Sequence, residues 1–558
     1  MKFGKGIPIT ATAEEMASRQ RAISVSEFFE KNRHLLGYDN KAKAMLMIVK
    51  EGVDNSLDAC EEARILPEIY VGIKEMGPDK HEIVIRDNGP GIVKEQIPKI
   101  FGRLLYGSKF HRLKQSRGQQ GLGVSCAVLY SQLTTGTPAT IISSTGDGRT
   151  HRYQLKIDVA RNRPDVIETS AEEGEIWHGV EQRFVAESTY RENKQSVLEY
   201  IRQTAISNPY CNIILDCPTG HKEFKRGVGQ LPAEPQEIMP HLYGVELGVL
   251  CRMLAATKAR TILSFLTSEF SRLGKTSATE ILLKAGITKN NNTLKPIPDT
   301  KLKPSRVSDE QARAIIEAVK QVKLVRPPLD CLSPLGTDLI KSGLVKELNP
   351  EFVTAVTRPP EVYRGWPFQI EAGLAFGGSI QSFSLMRFAN RVPLLYQGGI
   401  CAMTKSVQET DWRRYGIQSN KGIEEPLSIF VHMCSVWVPF TSESKESIAN
   451  YDIIVREIKL ALQECARHLS LWLSGKRKHA MLTKKKSTFE KYADETAGAL
   501  SAMAGMPKDA IVQKILDIIK RKWEDMHGEQ VEGEDTEPGP GSDQAAGPEG
   551  EPEHNASG

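Results

Sequence analysis

Three short stretches rich in glycine and acidic side chains constrain this chain more than any other feature. They lie in order between Lys41 and Leu133, on a helix, at a strand end and before a second helix. In the first, Met45, Ile48, Val49, Val53, Leu57 and Cys60 recur at helical spacing, which predicts an amphipathic helix. Glu51, Asn55 and Asp58 then fall at i, i+4 and i+7 on its polar face. Ile69, Val71 and Ile73, followed by Ile83 and Ile85, alternate as strands do on either side of the turn-rich MGPDKH. The second strand runs into Asp87-Asn88-Gly89-Pro90-Gly91, whose glycines let a ligand approach the backbone.

A helix is expected over Lys94 to Leu105, then a polar stretch from Gly107 to Gln120 holding Ser108, Lys109, His111, Arg112, Lys114 and Arg117. It ends in Gly118-Gln119-Gln120-Gly121-Leu122-Gly123, and the apolar run Val124 to Leu133 predicts a helix after it. The glycines therefore sit at a helix N-terminus, where unpaired N–H groups and the positive dipole end favour phosphate. Together these parts predict a nucleotide site without a Walker A loop. Gly274-Lys275-Thr276 imitates such a loop, but Glu269 stands where its first glycine is required.

The boxes Glu51-x-x-x-Asn55, Asp87-x-Gly89-x-Gly91 and Gly118-x-x-Gly121-x-Gly123 resemble those of the GHKL ATPases (gyrase, heat-shock chaperone, histidine kinase, MutL). Each box alone occurs by accident in many proteins, so the resemblance rests on their order and spacing. More narrowly, VDNSLDAC, DNGPGI and LYGSK…RGQQGLGV…AVLYSQ resemble the B subunits of type IIB topoisomerases, topoisomerase VI, and the likeness extends to about residue 525. Gly52 departs from the family, which has a bulkier residue there; on sequence alone it loosens the helix by about 1 kcal/mol.

At 558 residues the chain is long enough for three or four domains. Its 40% hydrophobic and 25% charged content is that of a globular protein with a sizeable core. No apolar run approaches the roughly 20 residues needed to span a bilayer, and the first residues lack a signal-peptide core, which predicts a cytoplasmic protein without membrane contact; the resemblance implies that it is nucleoid-associated. Nine scattered cysteines with no CxxC pair predict reduced, buried thiols. The net charge of +4 hides an asymmetry: residues 527–558 carry nine acids and no Lys or Arg, leaving 73 cations against 60 acids, a net +13, on residues 1–526. A body that basic is compatible with a polyanionic partner.

The expected fold class is α+β and multidomain. Residues 1–22 read as a polar arm, and the resemblance implies an N-terminal strap onto a neighbouring protomer. An ATPase domain follows over 23–228, opened by a short helix from Ser24 to Leu36; later strands at Ala139–Ile142, Tyr153–Ile157 and Asn212–Leu215 predict an α/β sandwich, the Bergerat fold in the resembled family. Residues 229–306 turn helical from Pro240 to Ile287, with Ser277 and Glu280 as a capping box; the insert resembles a helix-two-turn-helix domain. Its Lys258, Arg260, Arg272, Lys275 and Lys284 are candidates for DNA phosphate or an ordinary solvated basic face.

A second capping box at Ser308 and Gln311 opens a helix over Ala312 to Val322 and a second α/β domain, 307–475, which resembles the transducer of gyrase, MutL and topoisomerase VI. Strands are expected around Phe368–Glu371, Ser382–Phe388 and Leu427–His432, and a long helix from Ile448 to Ser474. Residues 476–526 read as basic and helical, with segments Thr488–Ala504 and Lys508–Trp523. Ala510, Ile511, Ile515, Leu516, Ile518 and Ile519 make a stripe that asks for a partner. Residues 527–558 are expected to be a disordered acidic tail.

The resemblance implies ATP hydrolysis with Mg²⁺. Glu51 would polarise the attacking water, Asn55 would offer its amide oxygen to Mg²⁺, and Asp87 would accept from the adenine amino group, with Gly89 and Gly91 leaving room for the ring. Gly107, Ser108, Lys109, Gly118, Gln119, Gln120, Gly121, Leu122, Gly123, Val124 and Ser125 would form the lid and phosphate cradle. Lys445, in the loop Thr441–Ser447 between a strand ending at Phe440 and the long helix, occupies the place of the family's switch lysine, which reaches the γ-phosphate from the second domain. Trp412-Arg413-Arg414-Tyr415 resembles the transducer's WKxY motif, a candidate DNA contact or a packed aromatic pair with surface arginines. The implied partners are the topoisomerase VI A subunit, which cleaves DNA and docks on the C-terminal helices, a second copy of this chain in an A2B2 heterotetramer closed by ATP, and double-stranded DNA. The implied outcome is supercoil relaxation and decatenation. The alternative is a clamp or repair scaffold of MutL type, which uses ATP only to dimerise.

Overall fold

The computed structural model of the protein describes residues 13–109, 112–118, 121–174, 176–289, 297–419, 422–442 and 444–531. Of the residues singled out above, Gln119, Gln120 and His111 lie outside these, as do residues 1–12 of the strap and 532–558 of the tail. Residues to Ser470 form one compact unit and those from Leu471 a second.

Helix α1 (Ala13–Ser18) is exposed, and α2 (Val25–Lys31) is capped by Ser24, whose hydroxyl accepts from the Glu27 amide. A 3-10 turn over Arg33–Leu36 leads into α3 (Lys41–Glu62), capped by Asn40. The apolar positions read from sequence, Met45, Ile48, Val49, Val53, Leu57 and Cys60, are all buried. An antiparallel pair follows, β1 (Glu68–Gly77) and β2 (Lys80–Asp87), with Ile83 and Ile85 facing α3 in the core. Gly52 is matched to that packing: a Cβ there would sit 2.6 Å from Ile85 Cδ1. What the sequence suggests as a weak point in the helix is a close approach between helix and sheet.

The helix expected over Lys94 to Leu105 is shorter, α4 (Ile97–Gly102), because Pro98 sits in its first turn and Leu105 turns left-handed at φ +58°. Then come α5 (Gly123–Thr135), strands β3 (Ala139–Thr145), β4 (Arg149–Asp158), β5 (Arg163–Glu173) and β6 (His178–Glu187), helix α6 (Val197–Ser207), β7 (Asn212–Cys217) and β8 (Gly220–Phe224). The eight strands run β5-β4-β3-β6-β2-β1-β7-β8, antiparallel except β1 against β7. Helices α3, α5 and α6 bury their apolar faces together on this sheet in one core cluster.

The helical segment that follows comprises α7 (Leu247–Ala256), α8 (Ile262–Ser268) and α9 (Lys275–Lys284), with a two-stranded pairing of β9 (Thr288–Lys289) and β10 (Ile297–Pro298). The box expected at Ser277 and Glu280 does not open α9. The helix starts at Lys275 with Gly274 as its cap, directly after Arg272 turns the chain at φ +55°, which places Ser277 inside it. At Ser308 and Gln311 the box forms with both reciprocal hydrogen bonds and opens α10 (Asp309–Val319).

Helix α11 (Thr337–Leu348) precedes the second sheet: β11 (Phe352–Thr357), β12 (Glu361–Tyr363), β13 (Trp366–Phe376), β14 (Ser384–Ala389), β15 (Val392–Pro393), helix α12 (Ala402–Gln408) and β16 (Leu427–Ser435). Its order is β11-β13-β16-β14-β15, with β12 on β13 and β14 parallel to β16. The last strand ends at Ser435 rather than Phe440, which keeps only an isolated bridge to Ile448. The long helix begins at Asp452 rather than Ile448 and does not stop near Ser474. As α13 (Asp452–Ala504) it takes in the basic stretch, whose lysines and arginines are good helix formers in a run free of proline. Within the second unit, Lys508 of α14 (Lys508–Val531) pairs with Asp494 at 2.8 Å, and Ala493, Ala497 and Ile511 are buried while Ile518 is exposed. No helix among the described residues is long and apolar enough to cross a membrane.

Candidate nucleotide site

A cavity of about 600 Å³ opens between α3, the end of β2 and the start of α5. The sequence-expected residues Glu51, Asn55, Asp87, Gly91, Gly107, Ser108, Lys109, Gly118, Gly121, Leu122, Gly123, Val124, Ser125 and Lys445 all line it. Gly89 lies one step back, its amide donating to Asp87 Oδ1 at 2.9 Å.

Asp87 is held where β2 ends. Oδ1 accepts from the amides of Gly89 and Val180, and Oδ2 from the Ser56 hydroxyl at 2.7 Å. Ser56 is the residue after Asn55, so one helical turn supplies two walls of the cavity. Burial pushes the Asp87 carboxyl up, and those three donors work against it. A carboxylate offers about four acceptor positions, so one remains on Oδ2 for an incoming amino group. Gly91 takes φ +73°, and a Cβ there would lie 2.0 Å from the Ser144 carbonyl oxygen.

At the other end, α5 has no side-chain cap. Its first internal hydrogen bond runs from the Cys126 amide to the Leu122 carbonyl, which leaves the amides of Gly123, Val124 and Ser125 as first-turn donors without a partner among the described residues. Glu51 Oε2 fills the space where Gly123 lacks a side chain: a Cβ would stand 1.8 Å away. The Glu51 carboxylate and the first turn of α5 are thus pressed together by a glycine. Asn55 Oδ1 lies 3.6 Å from the corresponding position on Gly118, and its amide has no protein partner among the described residues. A free amide oxygen beside a carboxylate, facing helix-terminal donors, is a donor set that fits Mg²⁺.

Lys109, in the cavity wall, also has a partner on α3. Its ammonium lies 2.5 Å from Asp58 Oδ2, a partner the sequence leaves unassigned. Burial lowers the Lys109 pKa, but Asp58 and Glu62 outweigh it and hold the group charged. Asp58 is itself raised by burial, yet Lys109 and Arg117 hold it well below the usual carboxylate range.

Arg117, directly before the third box, ties the cavity to the rest of the molecule. Its guanidinium reaches Asp58 Oδ1 at 2.9 Å and Glu61 Oε1 at 2.6 Å. Glu61 Oε2 is met at 2.8 Å by Arg391, from the turn between β14 and β15. The Arg391 amide donates to His432 Nε2, so the proton on Nδ1 faces Glu371 Oε2 at 2.8 Å. Glu371, His432 and Cys434 lie close enough to hold a metal ion. Both ring nitrogens are already committed, and Glu371 also accepts from the amides of Leu335 and Gly336 and from Thr357, which makes the trio a structural brace. Burial lowers the His432 pKa despite Glu371, consistent with a neutral ring. Nothing in local spacing marks Arg391 or Glu61, because their partners lie from 41 to 330 positions away.

Of the motif at 412–415, Trp412 is buried and its indole donates to the Val407 carbonyl. Its ring is therefore a core element, whereas Arg413 and Arg414 are exposed, the latter beside Asp411 at 3.0 Å. Lys258, Arg260, Arg272, Lys275 and Lys284 are displayed on the helical segment, with Lys284 engaged to Glu280 and the Gln321 carbonyl.

The eight-stranded sheet with this cavity defines an ATPase of the histidine kinase, gyrase and HSP90 type, and residues 40–161 match the family described as histidine kinase-, DNA gyrase B- and HSP90-like ATPase. Such a domain binds ATP. Residues 327–485 match the family described as the topoisomerase VI B subunit transducer. Three curated relatives, each named as the B subunit of type 2 DNA topoisomerase 6, are similar over most of the chain. The protein of Archaeoglobus fulgidus is 47% identical over 83% of this chain and 76% of its own. That of Methanococcoides burtonii is 45% identical over 83% and 74%, and that of Pyrococcus horikoshii 39% identical over 94% and 100%. The chain belongs to the family of topoisomerase VI B subunits.

Proposed function

We propose that this chain is the ATP-hydrolysing component of a type IIB DNA topoisomerase, in which ATP closes two copies around one duplex while a DNA-cleaving A subunit opens another. The observation that carries this reading is the position of Lys445. It follows the last strand of the second sheet, yet its ammonium lies in the wall of the ATPase cavity, 3.1 Å from the Arg117 carbonyl. Burial lowers its pKa there, so a γ-phosphate offers it a better counter-charge than the neutral carbonyl.

In the proposed reaction, water held by Glu51 attacks the γ-phosphorus, its proton passes to the Glu51 carboxylate, and the bond to the bridging β–γ oxygen breaks to leave ADP and phosphate. Asp87 selects adenine through its remaining acceptor position. The first-turn amides of α5 carry the phosphates, and Lys445 pairs with the terminal one. Asn55 would hold Mg²⁺, which neutralises phosphate charge when bound. Loss of the γ-phosphate removes the Lys445 counter-charge, which frees the second sheet to change its angle to the first.

The test is reconstitution with the DNA-cleaving A subunit and ATP-dependent relaxation of supercoiled plasmid. Relaxation that requires both chains and hydrolysable ATP supports the reading, and relaxation by this chain alone counts against it.

A further inference from the structure

The loop that carries Lys445 is fastened to the ATPase domain by its next residue. Glu446 is buried, with its side chain 5% exposed, and its Oε1 lies 2.7 Å from Lys43 Nζ in the first turn of α3. No hydroxyl or amide donates to either Glu446 oxygen among the described residues, so Lys43 is its contacting counter-charge. Leu46, Met47, Leu394 and Leu395 line the small space beside it together with Lys50, Tyr200 and Ser444, none of which gives Glu446 a hydrogen bond or ion pair among the described residues. A carboxylate in such a place is strongly unfavourable without its cation.

Lys43 is differently placed. Asp39 Oδ1 also lies 3.2 Å from its ammonium, and the Tyr396 ring lies under it at 5.0 Å. If the loop leaves, Lys43 keeps a partner and Glu446 does not, so the pair forms only when the loop is seated on α3. Seating also fixes Lys445. That residue holds φ +53°, a left-handed conformation that a lysine adopts only when its neighbours impose it. The loop is closed by the Thr441 amide to the Ser447 carbonyl and the Lys445 amide to the Ser442 carbonyl. With the loop closed and Glu446 clasped to α3, the Lys445 side chain is directed to the cavity.

We propose that Glu446 and Lys43 are a positioning pair whose contact seats the switch loop on α3 and so sets the place of Lys445 at the terminal phosphate. This rests on the reading of Lys445 given above. Neither residue of the pair lines the nucleotide cavity, and the pair acts through the neighbouring ammonium.

The test uses the full chain and measures kcat and KM for ATP, affinity for a non-hydrolysable analogue, and melting temperature. Glu446→Gln and Lys43→Met are each expected to lower kcat about 10- to 100-fold, the effect of displacing a reacting group by roughly an ångström, with analogue affinity changed less than about threefold. The charge-swapped double variant K43E/E446K is expected to recover most of that loss. If Lys445→Ala lowers turnover while Glu446→Gln stays within about twofold of wild type, the pair is overturned and the Lys445 reading stands. If Lys445→Ala changes nothing, both fall together. Should a single variant fail to fold, the swapped chain decides: recovered fold and turnover support the pair, and a chain that stays unfolded or inactive overturns it.

Discussion

The Lys445 ammonium and the Arg117 carbonyl meet at 3.1 Å across 328 positions of sequence. Arg117 is the residue before the third glycine box, so the contact joins the loop beyond the second sheet to the lip of the nucleotide cavity. The Arg117 side chain meanwhile engages Asp58 and Glu61 on α3. One residue therefore touches α3 with its guanidinium and the loop that carries Lys445 with its backbone.

Removing the Lys445 ammonium should separate binding from turnover. Lys445→Ala is expected to lower kcat about 10²- to 10³-fold, as loss of a preorganised charge at a transferring phosphoryl group does, with analogue affinity little changed. Steady-state hydrolysis beside equilibrium titration checks this, and unchanged turnover would remove the switch role.

Glu51 and Gly123 should fail in different ways. Glu51→Gln leaves the cavity shape intact and is expected to lower kcat about 10²- to 10⁴-fold with nucleotide still bound. Gly123→Ala places a methyl where Glu51 Oε2 stands, 1.8 Å away, and is expected to weaken nucleotide binding as well, because the start of α5 must shift. Equal losses of affinity in the two variants would contradict this geometry.

The Asp58 pairing should be visible in the acid limb of stability. Its carboxyl is raised by burial but held below the ordinary range by Lys109 and Arg117. The pairing therefore stabilises the folded state fully above about pH 4, where an unfolded aspartate is ionised, and is lost as pH falls through the folded value. Asp58→Asn is expected to cost about 3 kcal/mol at pH 7, with the gap to wild type narrowing below about pH 4. Denaturant unfolding at pH 7 and at about pH 3 measures both values; a gap independent of pH would refute the assignment.

Arg391 should act as a structural tie. Arg391→Met removes a cation from Glu61 and leaves the Ser333 carbonyl with only the longer hydrogen bond from Gln115 Nε2, at 3.2 Å. A loss of about 3 kcal/mol is expected, read as a lower first unfolding transition in calorimetry. A variant as stable as wild type would mean that Arg117 alone satisfies Glu61.

Local pattern makes much of this protein legible. The buried stripe of α3, the strand pair ending in Asp87 and the helix after Gly123 follow from periodicity and glycine placement, because helix and strand geometry repeat over a few residues. The boxes imply the cavity because their residues lie within about 80 positions and each is fixed by the element that carries it. Boundaries are less legible. Pro98 and Leu105 cut α4 short, and α13 runs on through the lysines of its basic stretch, where charge pattern suggests a break.

The amino-acid sequence by itself determined the parts of the nucleotide pocket, since helix faces and turn glycines are set by neighbours along the chain, and the order of its three boxes carried the resemblance that gave the class. Only the tertiary structure decided which side chains guard that pocket: Asp58 on Lys109, Arg391 on Glu61, Lys43 on Glu446. Those pairs bring together side chains separated by 51, 330 and 403 positions. Burial gives each ion a strong preference for a partner, but which partner arrives depends on how whole helices and sheets pack, and no local spacing records that.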